Sequence, residues 1–120
     1  MEKPHKKLKV WQLAMDIVTD VYRLTEAFPS EEKFGMSSQM RRCAVSIPSN
    51  IAEGAARNTH KEFINFLHIA QGSLAELDTQ LEIALRLKFT NQETWTNMNA
   101  KLIEEDKMLS GLIHSIKDKK

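Results

Sequence analysis

The sequence predicts an all-α protein, and more specifically an antiparallel, up-down-up-down four-helix bundle. Apolar residues recur at helical spacing in four stretches, short breaks separate these stretches, and no segment alternates like a strand bounded by turns. We predict helices at about 9–27, 36–57, 60–88 and 91–117, after a basic tail, 1–8, that we expect to be flexible. A chain of 120 residues is long enough for a single domain, 1–120, with its own core.

The first predicted helix has an apolar face at helical spacing and ends at Phe28 and Pro29. The residue before a proline is disfavoured in the α region, so the helix should stop there. Gly35 then separates it from the second helix. The predicted apolar positions of the first helix are Trp11, Ala14, Met15, Val18, Val21 and Tyr22.

The second predicted helix contains Pro48, which removes one backbone hydrogen bond and crowds the carbonyl of Ala44. Two interpretations are open: one helix kinked at Pro48, or two helices that meet there. The facial pattern keeps its phase across the proline, which favours a single kinked helix. The predicted core positions are Met40, Cys43, Ala44, Ile47 and Ile51.

The second helix also carries another arc of small or slender residues beside its core stripe. A surface helix usually has one apolar face, so a second one predicts burial on two sides, in the bundle or between subunits. We interpret this arc as a subunit interface rather than a ligand site. Its members are Val45, Pro48, Ala52 and Ala56.

The remaining face of the second helix is polar, and two interpretations of it are open. It can form cross-helix hydrogen bonds, because buried polar groups must be satisfied somewhere; this network would contain Ser46, Asn50, Glu53 and Glu76. Alternatively, its arginines can contact the phosphates of a nucleic acid, together with lysines of the tail. The candidate phosphate contacts are Arg41, Arg42, Arg57, Lys6, Lys7 and Lys9.

The third and fourth helices each follow a predicted capping box, residues 59–62 (THKE) and 90–93 (TNQE). On the third helix, Gly72 interrupts a heptad seam and suggests either close approach of another backbone or a tolerated defect. On the fourth, Glu105 occupies a position where an apolar residue is expected. The seam of the third comprises Phe63, Leu67, Ala70, Leu74, Leu77, Leu81 and Ala84, and the stripe of the fourth Trp95, Met98, Leu102, Leu109, Leu112 and Ile116.

The residues give no support for catalysis, a metal site or a cofactor. No glutamate has a histidine three residues later, as di-iron bundles require, and the four histidines are scattered. Cys43 falls on a core arc, and no glycine-rich phosphate loop or positioned base is present. We therefore predict a protein that is not an enzyme, with no catalytic, metal or cofactor-binding residue.

Composition limits the partners and the compartment. The net charge is +1, so any nucleic-acid site must depend on a local patch. A single cysteine suits a reducing compartment, and no apolar run approaches the ~18 residues of a membrane span. No secretory signal is recognisable at the N-terminus. We expect a cytoplasmic protein without a membrane partner.

Several motifs resemble the signature of the 23S rRNA intervening-sequence protein family. They are residues 8–11 (LKVW), 28–29 (FP), 38–42 (SQMRR), 46–54 (SIPSNIAEG) and 66–77 (FLHIAQGSLAEL). The resemblance covers about residues 8–90 and implies a small bacterial four-helix bundle, often encoded within ribosomal RNA gene insertions and loosely called a ribosomal protein. It also implies kinship with the accessory variability protein of diversity-generating retroelements, which resembles a basic five-fold barrel of bundles. The near-neutral charge of this chain differs from that basic relative.

Residues and resemblance together lead to one hypothesis and one alternative. The hypothesis is a non-enzymatic homo-oligomer, suspected to be a pentamer, that binds RNA or an RNA-associated protein. The alternative is a purely structural protein–protein interaction module with no nucleic-acid role, whose polar line makes subunit contacts.

Overall fold

The computed structural model describes residues 3–119 and contains four α-helices and no strand in that range. These are α1 (Lys9–Glu26), α2 (Met36–Ala55), α3 (His60–Arg86) and α4 (Gln92–Lys117). Two short 3₁₀ helices, Pro4–Lys7 and Ser30–Glu32, precede α1 and α2. The first two residues of the predicted tail, and Lys120, lie outside the described residues.

The four helices form a ring of contacts around one apolar core. Helix α1 packs against α2 and α4, and α3 packs against the same two helices, so α1 lies across the core from α3. This arrangement is consistent with a four-helix bundle. Within residues 3–119, every helix is too short or too polar to span a bilayer.

Burial agrees with the predicted stripes on α2 and α3. All five predicted core residues of α2 are buried, and on α3 the whole seam is buried except Phe63, which is half-buried against the core. Helix α2 continues through Pro48 without interruption, so the interpretation as two separate helices is wrong. The proline itself is buried.

The predicted face of α1 is partly wrong. Met15 and Tyr22 are 39% and 40% exposed, whereas Ile17 and Leu24, which the spacing did not select, are buried. Apolar residues cover a wide arc of α1. The centre of the buried face is rotated by about one residue from the predicted apolar face. Met15 and Tyr22 consequently stand at the edge of the helix, beside clefts that open to the surface.

The caps of α3 and α4 differ in how well they follow prediction. Thr59 caps α3 as predicted, because its Oγ1 accepts a hydrogen bond from the Glu62 N–H at 3.2 Å. The cap of α4 is Asn91 instead of Thr90, since Asn91 Oδ1 accepts from the Thr94 N–H at 2.8 Å. Asparagine caps a helix at least as well as threonine, and its position shifts the helix start by one residue.

The glycines of α2 and α3 have roles opposite to those expected. Gly72 is exposed, and no described atom outside its own stretch of helix lies within 4 Å of an added Cβ, so the predicted close approach of another backbone is wrong there. The close approach occurs at Gly54, which the sequence suggested only as a helix stop. A Cβ on Gly54 would lie 2.8 Å from Cβ of Phe66, on α3.

Candidate functional site

Arg41 is held against the end of α1 by three contacts. Its Nε donates a hydrogen bond to Thr25 Oγ1 at 2.8 Å, and its Nη2 donates to the Tyr22 carbonyl at 3.4 Å. Its guanidinium also stacks 4.6 Å from the centroid of the Tyr22 ring. Arg41 is therefore half-buried, with much of its donor capacity used inside the protein.

Arg42, the next residue on α2, faces solvent beside a cleft of about 460 Å³. Its polar contact is a 3.4 Å hydrogen bond from Nη2 to Ser38 Oγ, so the guanidinium remains available to a ligand. The lining carries three cations and no carboxylate, which makes this cleft locally positive although the chain is nearly neutral. We call it the basic cleft, and it is lined by Tyr22, Lys33, Phe34, Ser38, Arg41, Arg42 and Val45.

The other predicted phosphate contacts lie near the opposite end of α2. Arg57 follows the C-terminus of α2, about 24 Å from Arg41 at 1.5 Å per helical residue. Its Nη2 is paired with Glu53 Oε1 at 2.9 Å, and its guanidinium covers the Phe66 ring at 4.9 Å. The six predicted cations therefore do not form one patch.

The basic N-terminal segment packs on α1 and α2 as a 3₁₀ helix, Pro4–Lys7. The Lys6 carbonyl accepts a hydrogen bond from Gln12 Nε2 at 2.9 Å, and the rings of His5 and Trp11 meet edge to face at 5.2 Å. Three lysine side chains, Lys6, Lys7 and Lys9, are exposed there. They lie beside the start of α1, away from the basic cleft at its end.

The predicted polar network is satisfied within helices rather than between them. Ser46 Oγ donates to the Cys43 carbonyl at 2.7 Å, and Asn50 Nδ2 donates to the Ser46 carbonyl at 2.8 Å. Glu53 pairs with Arg57, just beyond the C-terminus of α2, while Glu76 accepts from Gln80 Nε2 at 3.4 Å on α3. Among the described residues, no hydrogen bond joins the α2 members to Glu76.

Most of the predicted subunit interface lines an apolar groove between α1 and α2. This groove has a volume of about 320 Å³. Val45, Pro48 and Ala52 contribute to its α2 side, whereas Ala56 is exposed beyond it at the end of the helix. We call it the α1/α2 groove, and it is lined by Trp11, Met15, Val18, Val45, Pro48, Ser49 and Ala52.

Cys43 is buried, as its place on the core arc predicted. Burial, reinforced by the negative charge of Glu76, raises the pKa of its thiol to about 12. The Sγ lies 3.0 Å from the Ser73 carbonyl, which accepts its weak hydrogen bond. The thiol is therefore protonated at neutral pH and is a poor nucleophile. Across residues 3–119, no three His, Cys, Asp or Glu side chains converge as metal ligands.

Sequence reasoning missed Lys33 and Phe34 of the basic cleft. Phe34 is 88% exposed, and Lys33 Nζ lies 5.5 Å from the centroid of its ring. One signal was available: Phe34 is an aromatic residue beside a cation in a short polar connection, and it belongs to no helical stripe. Its position beside Arg42 depends on the fold, because seven residues of loop and helix, 35–41, separate them.

The fold defines the structural class of this protein, and a family model then identifies its family. Four α-helices in a ring of contacts define the class, an all-α protein with the architecture of a four-helix bundle. The family model of the 23S rRNA-intervening sequence protein matches residues 6–111, and the chain belongs to this family. The resemblance seen in the motifs is thereby confirmed.

A solved structure supports the fold independently. The chain is similar to a protein of unknown function from the S23 ribosomal protein family of Bacteroides thetaiotaomicron VPI-5482. The TM-score is 0.81 and the sequence identity 27%, over 87% of this chain and 97% of the other. No curated protein shows significant sequence similarity to the chain.

Proposed function

We propose that this protein is not an enzyme but a cytoplasmic homo-oligomer that binds RNA, or a protein associated with RNA. The observation that carries the proposal is the basic cleft, in which three cations meet without a lining carboxylate. Membership in a family named for an intervening sequence in 23S rRNA supports an RNA ligand. The proposed contacts are Arg41 and Arg42, with Arg57 and the exposed lysines adding non-specific attraction.

We further propose that the helices run up-down-up-down with antiparallel neighbours, and that α2 bends at Pro48. The contacts at the two ends of α1 support the antiparallel direction. Near its C-terminus, Thr25 contacts Arg41 in the first half of α2, whereas Trp11 near its N-terminus shares a groove with Ala52 near the end of α2. The suspected pentamer rests on the family resemblance.

Replacing Arg42 alone offers a sharper test of the basic cleft than replacing both arginines together. Arg41 holds α1 to α2, so its replacement would disturb packing as well as charge. Arg42 has one weak side-chain hydrogen bond and is exposed, so its replacement changes mainly the charge. Each phosphate contact contributes to the salt dependence of affinity, since binding releases condensed counterions.

We therefore expect Arg42→Glu to weaken binding to a structured RNA hairpin by roughly tenfold at low salt, and to reduce the log–log salt slope by about 1. Fluorescence anisotropy titrations at several salt concentrations measure both quantities. The matched control is Arg86→Glu, an exposed arginine on α3 that should lose little affinity. If Arg42→Glu and Arg86→Glu lose equal affinity for RNA, the basic cleft is not the binding site. If the wild-type protein binds no RNA even at low salt, RNA binding itself is refuted.

The α1/α2 groove favours the alternative function, a protein–protein interaction module. Its lining is almost entirely apolar, and it contains three of the four residues predicted for a subunit interface. Contiguous apolar patches on a protein surface commonly mark interaction sites, and Met15 and Val45 are exposed in this groove. The groove and the basic cleft share Val45, so one oligomer interface could adjoin both surfaces.

If copies of this chain associate through the groove, Met15→Glu should convert the oligomer to monomers, because it buries an unpaired charge in the contact. Met15 is 39% exposed in the single chain, so the substitution should leave the fold intact. Ile83→Glu on α3, at 40% exposure, is the control. Sedimentation velocity measures the state of each variant. An oligomer that survives Met15→Glu would place the subunit contact on another surface.

A further inference from the structure

The basic cleft combines its cations with two aromatic rings, and these rings differ in what covers them. The Tyr22 ring is covered on one face by the Arg41 guanidinium at 4.6 Å. Lys33 Nζ lies over the Phe34 ring, 5.5 Å from its centroid, yet the side chain is 88% exposed, so most of the ring surface is open to a ligand. Burial of an aromatic ring is stabilising, so the chain forgoes that stabilisation at this position.

Phe34 lies in the connection between α1 and α2, which is ordered rather than a flexible loop. The backbone turns tightly here: the Glu32 N–H donates to the Pro29 carbonyl at 2.9 Å, and the Gly35 N–H donates to the Glu32 carbonyl at 3.0 Å. The connection is anchored on the core side by Phe28, which is buried and packs 5.3 Å from the Phe89 ring. The backbone that carries Phe34 is therefore ordered, and Phe34 lines the same cleft as Arg42.

The charges around this ring favour an anionic ligand. Glu32 is the acid nearest to the cleft in sequence, and its Oε1 accepts a hydrogen bond from the Met36 N–H at 3.2 Å. Within residues 3–119, neither Lys33 nor Arg42 has an ion-pair partner. Two available cations thus flank an open aromatic ring in a cleft of about 460 Å³, within the size range of small-ligand sites.

Open aromatic rings flanked by available cations match the chemistry of an unpaired nucleotide. An unpaired base offers a flat face for stacking, and its phosphates accept hydrogen bonds from arginine and lysine. A fully paired duplex offers the phosphates but hides its base faces in the stack. The combination therefore selects single strands over duplexes, while the cations alone would bind either.

We infer that the basic cleft is a binding site for single-stranded nucleic acid, in which an unpaired base stacks on Phe34 while Arg42 and Lys33 contact the adjacent phosphates. This inference deepens the proposed RNA binding and rests on it. Arg41 acts as a positioning residue, because it stacks on Tyr22 and fixes the wall of the cleft. The site recognises base faces and phosphates, so it should accept many sequences.

The test compares ligands and variants in the 120-residue protein. The probes are a fluorescein-labelled oligouridylate, the corresponding oligodeoxythymidylate and an RNA duplex of equal length. We expect the wild-type protein to bind both single strands more tightly than the duplex. We also expect similar affinities for the two single strands, because the site contacts bases and phosphates.

The decisive variant is Phe34→Ala, which should weaken binding of oligouridylate by roughly tenfold. The salt dependence of the affinity should stay unchanged, since no phosphate contact is lost. The affinity for the duplex should also stay unchanged. Phe34→Trp should restore binding of the single strand, because a larger ring preserves stacking. Ile103→Ala, a 49% exposed position on α4, is the control and should bind like wild type.

The outcomes separate this inference from the proposed function. Two results would overturn the stacking site without refuting RNA binding. One is RNA binding that depends on Arg42 but not on Phe34, and the other is equal affinity for duplex and single strand. Absence of binding to every probe at low salt would overturn both. Dissociation of the oligomer by Phe34→Ala, seen by sedimentation, would assign the ring to a protein contact and also overturn the inference.

Discussion

Replacing Glu105 by leucine is expected to stabilise the protein by about 3 kcal/mol at pH 7. Glu105 is fully buried on the core face of α4, and neither carboxylate oxygen has a hydrogen-bond partner among the described residues. Burial raises the pKa of this carboxyl from 4.5 to about 8. One pKa unit corresponds to about 1.36 kcal/mol. Keeping the proton up to pH 7, well above the ordinary pKa of 4.5, therefore costs the native state about 3 kcal/mol.

The same carboxyl makes stability depend on pH in a defined direction. Between pH 4.5 and about 8, the native state keeps the Glu105 proton and the unfolded chain loses it. The unfolded state then binds fewer protons, so the free energy of unfolding decreases as pH rises. The contribution is fully present below pH 4.5 and is lost by about pH 8, a total of about 5 kcal/mol.

Urea denaturation at pH 5, 6, 7 and 8 measures this effect. We expect the wild-type midpoint to fall steadily over this range, and Glu105→Leu and Glu105→Gln to remove most of the slope. Leucine should also raise the midpoint at pH 7, because it fills the site without an unpaired polar group. Glu104→Leu, at the exposed neighbouring position, is the control and should change stability by less than about 0.5 kcal/mol. A wild-type slope that persists in Glu105→Gln would show that another group titrates.

Gly54→Ala is expected to destabilise the protein by about 1–3 kcal/mol, although alanine is ordinarily the better helix former. The added Cβ would lie 2.9 Å from Phe63 Cδ1 and 3.2 Å from the Phe63 carbonyl oxygen, besides its contact with Phe66. These atoms belong to the packed face of α3, so relief requires the two helices to separate. The loss of packing should exceed the gain of about 1 kcal/mol in helix propensity.

Two other helical glycines provide matched controls for this substitution. Among residues 3–119, no atom outside the local stretch of helix lies within 4 Å of a Cβ added to Gly72 or Gly111. Alanine at either position should therefore stabilise the protein by about 0.5–1 kcal/mol. Thermal or urea denaturation of the three variants compares the signs directly. A stabilising Gly54→Ala would mean that α2 and α3 are not in close contact at this point.

The core of this protein was predictable on α2 and α3, where the core residues follow a regular heptad-like line. On α2 and α3 the heptad-like spacing selects the buried residues, from Met40 to Ile51 and from Leu67 to Ala84. On α1 the apolar arc is wide, so spacing alone did not separate buried Ile17 from exposed Met15. The candidate site was half predicted: Arg41 and Arg42 stand out in the sequence, whereas Lys33 and Phe34 join them only through folding.

The amino-acid sequence alone determined the helical class, the approximate limits of the helices and the family, because each depends on local patterns or short motifs. Tertiary structure decided which glycine permits close packing, which arginine remains free and where an aromatic ring meets two cations. Those properties arise from distances between residues far apart in the chain. Periodicity along one helix does not specify them, since they depend on how that helix is rotated against its neighbours.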